Sequence, residues 1–317
     1  MQVACKRLRL DCDWSDWGML RRTHASVRTW SPSFAPGLWR LPALCLVWIA
    51  VSACASAPQR LGPPPVSSGK LFAPSEPQPY AQDEQLFAQV HMLGMHAGDV
   101  ELSLQRDCAR QRVIVRSEGR SVGLAKFFSD RTSSARVPVD PETGLPLRYS
   151  SVLTKGDEVV RYRLRFKPGE YRWTREKEGR EKQAGKRRLP GASNAHSFES
   201  AFLALRHWRP REQSSESLLV VLGRRLYELE VRFMGPEPIE HAGARQAALR
   251  VDGTLYKIDL KPNESPQARS FSVWFGDDER RLPLRAVAST GLGDVRVELR
   301  SHEIEPAASC LAEQTGL

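Results

Sequence analysis

The sequence predicts a mainly β fold, a large curved antiparallel sheet forming a spiral roll or open barrel, with one short helix covering it. Three observations predict it. From about Gln85 onward, apolar residues recur at every second position, the period of a strand with one face in a core and the other wet. Turn signals interrupt these runs closely enough for antiparallel hairpins, which need only a few connecting residues. A single stretch, from about Ser197 to His207, carries helical spacing instead.

Taken in order, the first element is a hairpin over Phe87 to Leu104, with Gly94 and Gly98 about its turn. Val160, Tyr162, Leu164 and Phe166 then alternate with Arg161, Arg163 and Arg165, between turns at Lys155 to Glu158 and Lys167 to Glu170. Arg175 to Arg188 mixes Glu with an excess of Lys and Arg around Gly179 and Gly185. With no apolar face to bury, it reads as a solvated hairpin tip or mobile loop, an anion site being the alternative. In the helix, Phe198, Phe202 and Leu205 share one face with Ala201 beside them. Ser197 or Asn194 caps its first turn, and Pro210 stops its continuation. This helix is expected to cover an opening or a face of the sheet.

Beyond the turn at Gly223 to Arg225, Tyr227, Leu229, Val231 and Phe233 alternate with Glu228, Glu230 and Arg232. Asp277 and Asp278 close a hairpin between Phe271 to Phe275 and Leu282 to Ser289. That register sets Trp274 near Leu284 and offers Asp278 to Arg280 or Arg281, a turn fixed by a carboxylate and packed by an aromatic. After Gly291 to Gly293, Val295, Val297 and Leu299 alternate with Arg296, Glu298 and Arg300. The whole amounts to roughly ten to twelve strands.

Ahead of this domain the composition changes. A basic leader runs into Leu41 to Cys54, an apolar stretch of about a dozen residues, shorter than the roughly 20 that span a bilayer as a helix. Its ending, Val51-Ser52-Ala53-Cys54, resembles the lipobox of bacterial lipoproteins, an ordinary signal with a chance cysteine being the alternative. The resemblance implies cleavage before Cys54 and acylation of its thiol. Asp11, Asp13 and Asp16 are out of character for a leader, and a start at Met19 would remove them. The chain thus divides into a signal peptide (1–53, of which 1–18 need not be translated), a lipidated cysteine with a proline-rich tether (54–84), a β-rich domain (85–303) and a tail (304–317). Two or three acyl chains hold firmly where one holds weakly, so the expected place is the bacterial cell envelope. Ala55 follows the cysteine, where Asp would signal otherwise in the enterobacterial sorting pattern, and this favours the outer membrane facing the periplasm.

The formal charge is +10, and the part after Cys54 keeps about +6 of it, enough to attract anionic surfaces without naming one. Nucleic acid is not an expected partner outside the cytoplasm. Of six cysteines, Cys5, Cys12 and Cys45 leave with the leader and Cys54 would carry lipid, so Cys108 and Cys310 remain. In an oxidising envelope they can pair across a long loop or stay as two thiols.

The region also resembles the envelope proteins grouped as domain of unknown function 3108. The resemblance rests on the opening hairpin, Val139-Asp-Pro-Glu-Thr-Gly-Leu-Pro146, the Phe198 to Arg206 helix, and Trp274 to Arg285 leading into Gly293 to Leu299. It covers about Gln85 to Ser301 and implies an exported antiparallel β domain with no established activity. Trp274, Asp278, Arg281 and Pro283 are its motif residues, read as structural.

No Gly-x-Ser-x-Gly, phosphate loop, dinucleotide fingerprint or zinc-ligand spacing occurs. His91 and His96 straddle the first turn as a surface pair, and Asp277 and Asp278, adjacent in sequence, are poor candidates for an acid and base pair. No catalytic residue, metal or cofactor is assigned. Two functions fit: a noncatalytic module binding a lipid, glycan or envelope protein, or an enzyme acting on cell-wall material with a site at the strand ends.

Overall fold

A computed structural model describes residues 83–190, 193–210, 214–258, 268–290 and 293–305. In chain order the elements are β1 (Asp83–Met92), β2 (Met95–Asp107), β3 (Arg112–Ser121), α1 (Gly123–Phe128), β4 (Arg131–Val139), β5 (Arg148–Lys155), β6 (Glu158–Lys167), β7 (Glu170–Lys177) and β8 (Gln183–Arg188). There follow α2 (Phe198–His207), β9 (Ser215–Leu222), β10 (Arg225–Pro236), β11 (Ile239–His241), β12 (Ala244–Gln246), β13 (Ala248–Lys257), β14 (Ala268–Gly276), β15 (Pro283–Thr290) and β16 (Gly293–Glu305). Fourteen strands form one antiparallel sheet in the order β8-β7-β6-β5-β4-β3-β2-β1-β16-β15-β14-β13-β10-β9, and β11 pairs with β12 as a separate hairpin. The sheet is not closed.

The first and last strands meet in its middle, Asp83 opposite Glu305. Because every neighbour is antiparallel, the connections sort onto two ends. Asp83, Glu305 and the β2–β3, β4–β5, β6–β7 and β14–β15 connections share one, here the proximal end; the β1–β2, β3–β4, β5–β6 and β15–β16 connections share the distal end. The sheet curls until its two edges approach. Tyr171 on β7 donates its hydroxyl to the Arg224 carbonyl in the β9–β10 turn at 3.1 Å. The stretch after β8 then joins the edges: the Gly169 amide donates to the Ser193 carbonyl, and His196 exchanges two 2.8 Å backbone hydrogen bonds with β9 through Leu219 and Val221.

α2 lies inside this roll. Leu203 belongs to an apolar cluster with Leu104, Val115, Val137, Tyr149, Leu164 and Tyr171 of β2 to β7. Ala201 and Leu205 belong to another with Leu218, Leu229, Val251 and Phe275 of β9, β10, β13 and β14. Phe202 packs against both. The helix starts where expected, with a capping box in which Ser197 and Ser200 each accept the other's backbone amide.

Several expectations change. An enclosed helix has no single apolar stripe, so Phe198 is the partly exposed residue at 38% while Glu199 is 1% exposed. Gly98 lies within β2 opposite Ser121, the turn being Leu93 and Gly94 alone. The basic stretch 175–188 is a hairpin with an exposed tip rather than a mobile loop: it supplies the end of β7 and all of β8, whose Gly185 lets the Trp173 ring lie across the strand. Glu228, expected on a wet face, is buried, whereas Arg232 and Met234 further along the same face of β10 are exposed, so the curl covers only the first part of that face. The sixteen strands exceed the expected number, and α1 carried no helical signal strong enough to be read.

Candidate functional site

The motif residues sit at the proximal end, where the β14–β15 turn meets the C-terminus of α2. Gly276 donates to the Leu282 carbonyl at 2.8 Å, closing the turn, and Asp278 Oδ1 accepts the Arg281 backbone amide at 2.8 Å. The carboxylate of Asp278 therefore fixes main chain, whereas an ion pair with Arg280 or Arg281 had been expected. Arg281 adopts a positive φ of 46° and turns its buried side chain back, the guanidinium 5.6 Å from the centre of the Phe275 ring. Its Nε and Nη2 have no hydrogen-bond partner. Burial and the nearby Arg209 push its pKa down to about 10 against Asp277 and Asp278, so it stays cationic at neutral pH. Pro283 opens β15 opposite Phe275. Trp274, on the outer side, donates its indole N–H to Glu237 at 3.1 Å, lies under Arg250, and packs against the cluster containing Leu284, the neighbour the hairpin register predicts.

This turn is latched to the rest of the molecule. Arg206, near the end of α2, donates to the Arg280 carbonyl and forms a two-pronged pair with Glu84 at 2.5 and 2.7 Å. His302 on β16 shares the same carboxylate at 2.6 Å. Burial would raise the Glu84 pKa, but Arg206 and His302 outweigh it and hold the carboxyl below its ordinary value. The latch ties together β1, α2, β16 and the β14–β15 turn. Sequence reading missed it, since its members lie 122 and 218 residues apart with no local signal.

A second polar group lies inside the roll. Glu199 Oε1 accepts the Ser117 hydroxyl at 3.1 Å, and Oε2 has no partner. Burial pushes this carboxyl up despite its own backbone amide, Ser117 and Ser197. Burial, with Glu199 and Tyr162 adding to it, also pushes the Tyr149 hydroxyl well above its ordinary value, against the hydroxyl of Ser151. His196 Nδ1 is 3.2 Å from the Ser200 hydroxyl, and burial lowers the imidazole to about 4. A serine beside a histidine invites comparison with nucleophilic sites. Here the serine hydroxyl is fully buried and serves the capping box, so the contact organises the helix start.

Val51, Ser52, Ala53, Cys54 and Cys310 lie outside the described residues. Cys108 begins a single 3-10 turn between β2 and β3 at the proximal end. His91 and His96 face each other across the first hairpin with ring centres 5.7 Å apart, and His96 hydrogen-bonds Asp99 at 2.8 Å.

The family described as protein of unknown function (DUF3108) matches residues 88–300. The chain belongs to this family. No curated protein matches it. Among solved structures, this DUF3108 chain is similar to a β-barrel-like protein of domain of unknown function DUF1849 from Brucella abortus, at 8% identity and TM-score 0.49, covering 71% of this chain and 98% of that one. It is also similar to a candidate exported protein with a YmcC-like fold from Bacteroides fragilis (9% identity, TM-score 0.30, 69% and 95% covered). A third is a candidate lipoprotein from Parabacteroides distasonis (7% identity, TM-score 0.31, 71% and 97% covered).

Proposed function

We propose that this DUF3108 chain is a bacterial envelope lipoprotein, anchored through Cys54, whose roll is a noncatalytic module that binds its partner on the outer surface. The observation that carries the choice of surface over interior is the placement of α2. A ligand carrier of this architecture needs an apolar space between sheet and helix. Here Leu203, Phe202, Ala201 and Leu205 fill that position with packed side chains from both halves of the sheet. The buried His196, Ser197 and Ser200 are engaged in capping the helix start, which supports binding over cell-wall chemistry at those serines. Glycan, envelope protein and membrane lipid all remain partners of the right class.

Native mass spectrometry of the purified unlipidated Cys54→Ala protein tests the reading. The expected spectrum contains the bare chain at its own mass. A stoichiometric lipid that survives detergent exchange would place the ligand inside and contradict a surface-binding module.

A further inference from the structure

At the distal end, two neighbouring connections expose apolar side chains together. Leu93 in the β1–β2 turn is 63% exposed, Met95 at the start of β2 is 50%, and Leu124 and Phe127 on α1 are 61% and 85%. These are four of the eight large exposed hydrophobic residues among those described, and the other four are dispersed. The support beneath is firm. Ala125 of α1 is buried in one cluster with Val90, Met92, Ala97 and Val295, and the Val122 amide donates to the Ala97 carbonyl at 3.1 Å. α1 is therefore fixed with one side inward and Leu124 and Phe127 outward.

Leu93 makes the point more sharply. It has a positive φ of 52°, followed by Gly94 at 78°, the pattern of a tight hairpin turn that favours Asn or Gly at both positions. A branched apolar residue there is disfavoured by its backbone and by its exposure to water. The exposure penalty falls away if the side chain works against an apolar phase, and that gain can offset the backbone cost.

We propose that this distal apolar end inserts into the surface of a lipid bilayer. The occupant follows from the anchor, so the proposal rests on the lipoprotein reading. Residues 55–82 separate Cys54 from β1, and a chain of 28 residues can span up to roughly 90 Å. β1, with ten residues, is about 33 Å long. The tether is therefore long enough for the roll to stand with its distal end on the same bilayer that holds the acyl chains, its proximal end and latch facing away. Lys126 on α1 with Asp130 just after it, and Lys155 with Asp157 at the next distal turn, are all exposed, so the charges there balance and the apolar side chains carry the insertion.

The test uses unlipidated Cys54→Ala protein floated with vesicles of phosphatidylethanolamine and phosphatidylglycerol, or of phosphatidylcholine alone. Binding to both, retained in high salt, is the expected result. Leu124→Asp with Phe127→Asp should weaken it roughly a hundredfold, the loss expected from two buried apolar side chains. Met234→Asp, at an exposed apolar residue on β10 outside the patch, should leave it unchanged, and all variants should keep the parent's melting temperature. No flotation, flotation abolished by salt, or equal binding by the double variant would overturn the proposal. So would a dimer that the double variant dissolves in a protein that ignores vesicles, since a second copy would then be the occupant. Acylation of Cys54 is read separately on the wild-type chain, so either idea can fail alone.

Discussion

Glu199 and His196 meet the same enclosed interior with opposite dependence on pH. Burial raises the Glu199 carboxyl above its unfolded value, so the stability it allows is fully present below about pH 4.5 and is lost as pH rises through the folded value. Glu199→Gln should therefore raise the melting temperature at pH 7 and leave it nearly unchanged at pH 4, as differential scanning fluorimetry would show; a loss at both would mean that the carboxylate itself holds the fold. The histidines run the other way. Burial lowers His196 to about 4, and burial with Arg206 and Arg209 lowers His207 to about 3. The unfolded chain then binds more protons, and stability present above about pH 6.5 falls away toward pH 4 by on the order of 3 kcal/mol for each histidine. Glu84 adds to this at lower pH, since its depressed carboxyl supports the fold above its unfolded value and loses that support as acid protonates it. Urea midpoints that fall between pH 7 and pH 4.5 are expected, and midpoints flat across that window would contradict neutral buried histidines.

At the scale of elements, the period-two pattern was legible wherever a strand keeps one wet face. β6 shows it most cleanly, with Val160 and Leu164 buried and Arg161, Arg163 and Arg165 exposed. On β10 it held for Tyr227, Leu229, Val231, Phe233 and Arg232 and failed at Glu228, as it did on α2, because the curl of the sheet encloses those positions, and enclosure is a property of strands far apart in sequence. The same limit hid the Glu84, Arg206 and His302 latch, whereas the β14–β15 turn was readable because Asp278 and Arg281 act three residues apart. In the basic stretch 175–188 the exposed hairpin tip was legible and the strand β8 was not, because β8 is an edge strand, where Lys and Arg are tolerated and discourage pairing with other chains. One packing device gives a direct test. Gly253 on β13 faces Phe271 on β14, and a Cβ there would lie 2.2 Å from the ring. Gly253→Ala should cost about 1–3 kcal/mol in chemical denaturation. Adding Phe271→Ala should recover part of that loss, and strictly additive losses would show that the ring does not occupy the glycine's space.

The whole molecule has two ends with different composition. The proximal end carries the start of β1, the end of β16, the latch and the family motif, and Cys108 lies there in the β2–β3 turn. β16 finishes at that end five residues before Cys310, and we propose that the two cysteines pair there. Closing so long a loop is worth about 2–5 kcal/mol, so Cys108→Ala should lower the stability of oxidised protein and leave reduced protein nearly unchanged. The distal end carries the exposed apolar residues of the β1–β2 turn and α1. Between them the interior is filled, and the proposed anchor at Cys54 would decide which outer surface is presented to a partner. The central claim is that anchor, and the intact mass of the mature protein extracted from membranes tests it most directly. A chain beginning at Cys54 and carrying two or three acyl chains, with Cys54→Ala neither acylated nor cleaved at that position, is the predicted result; a wild-type chain with no acyl mass at Cys54, or one still joined to the residues before it, would contradict it.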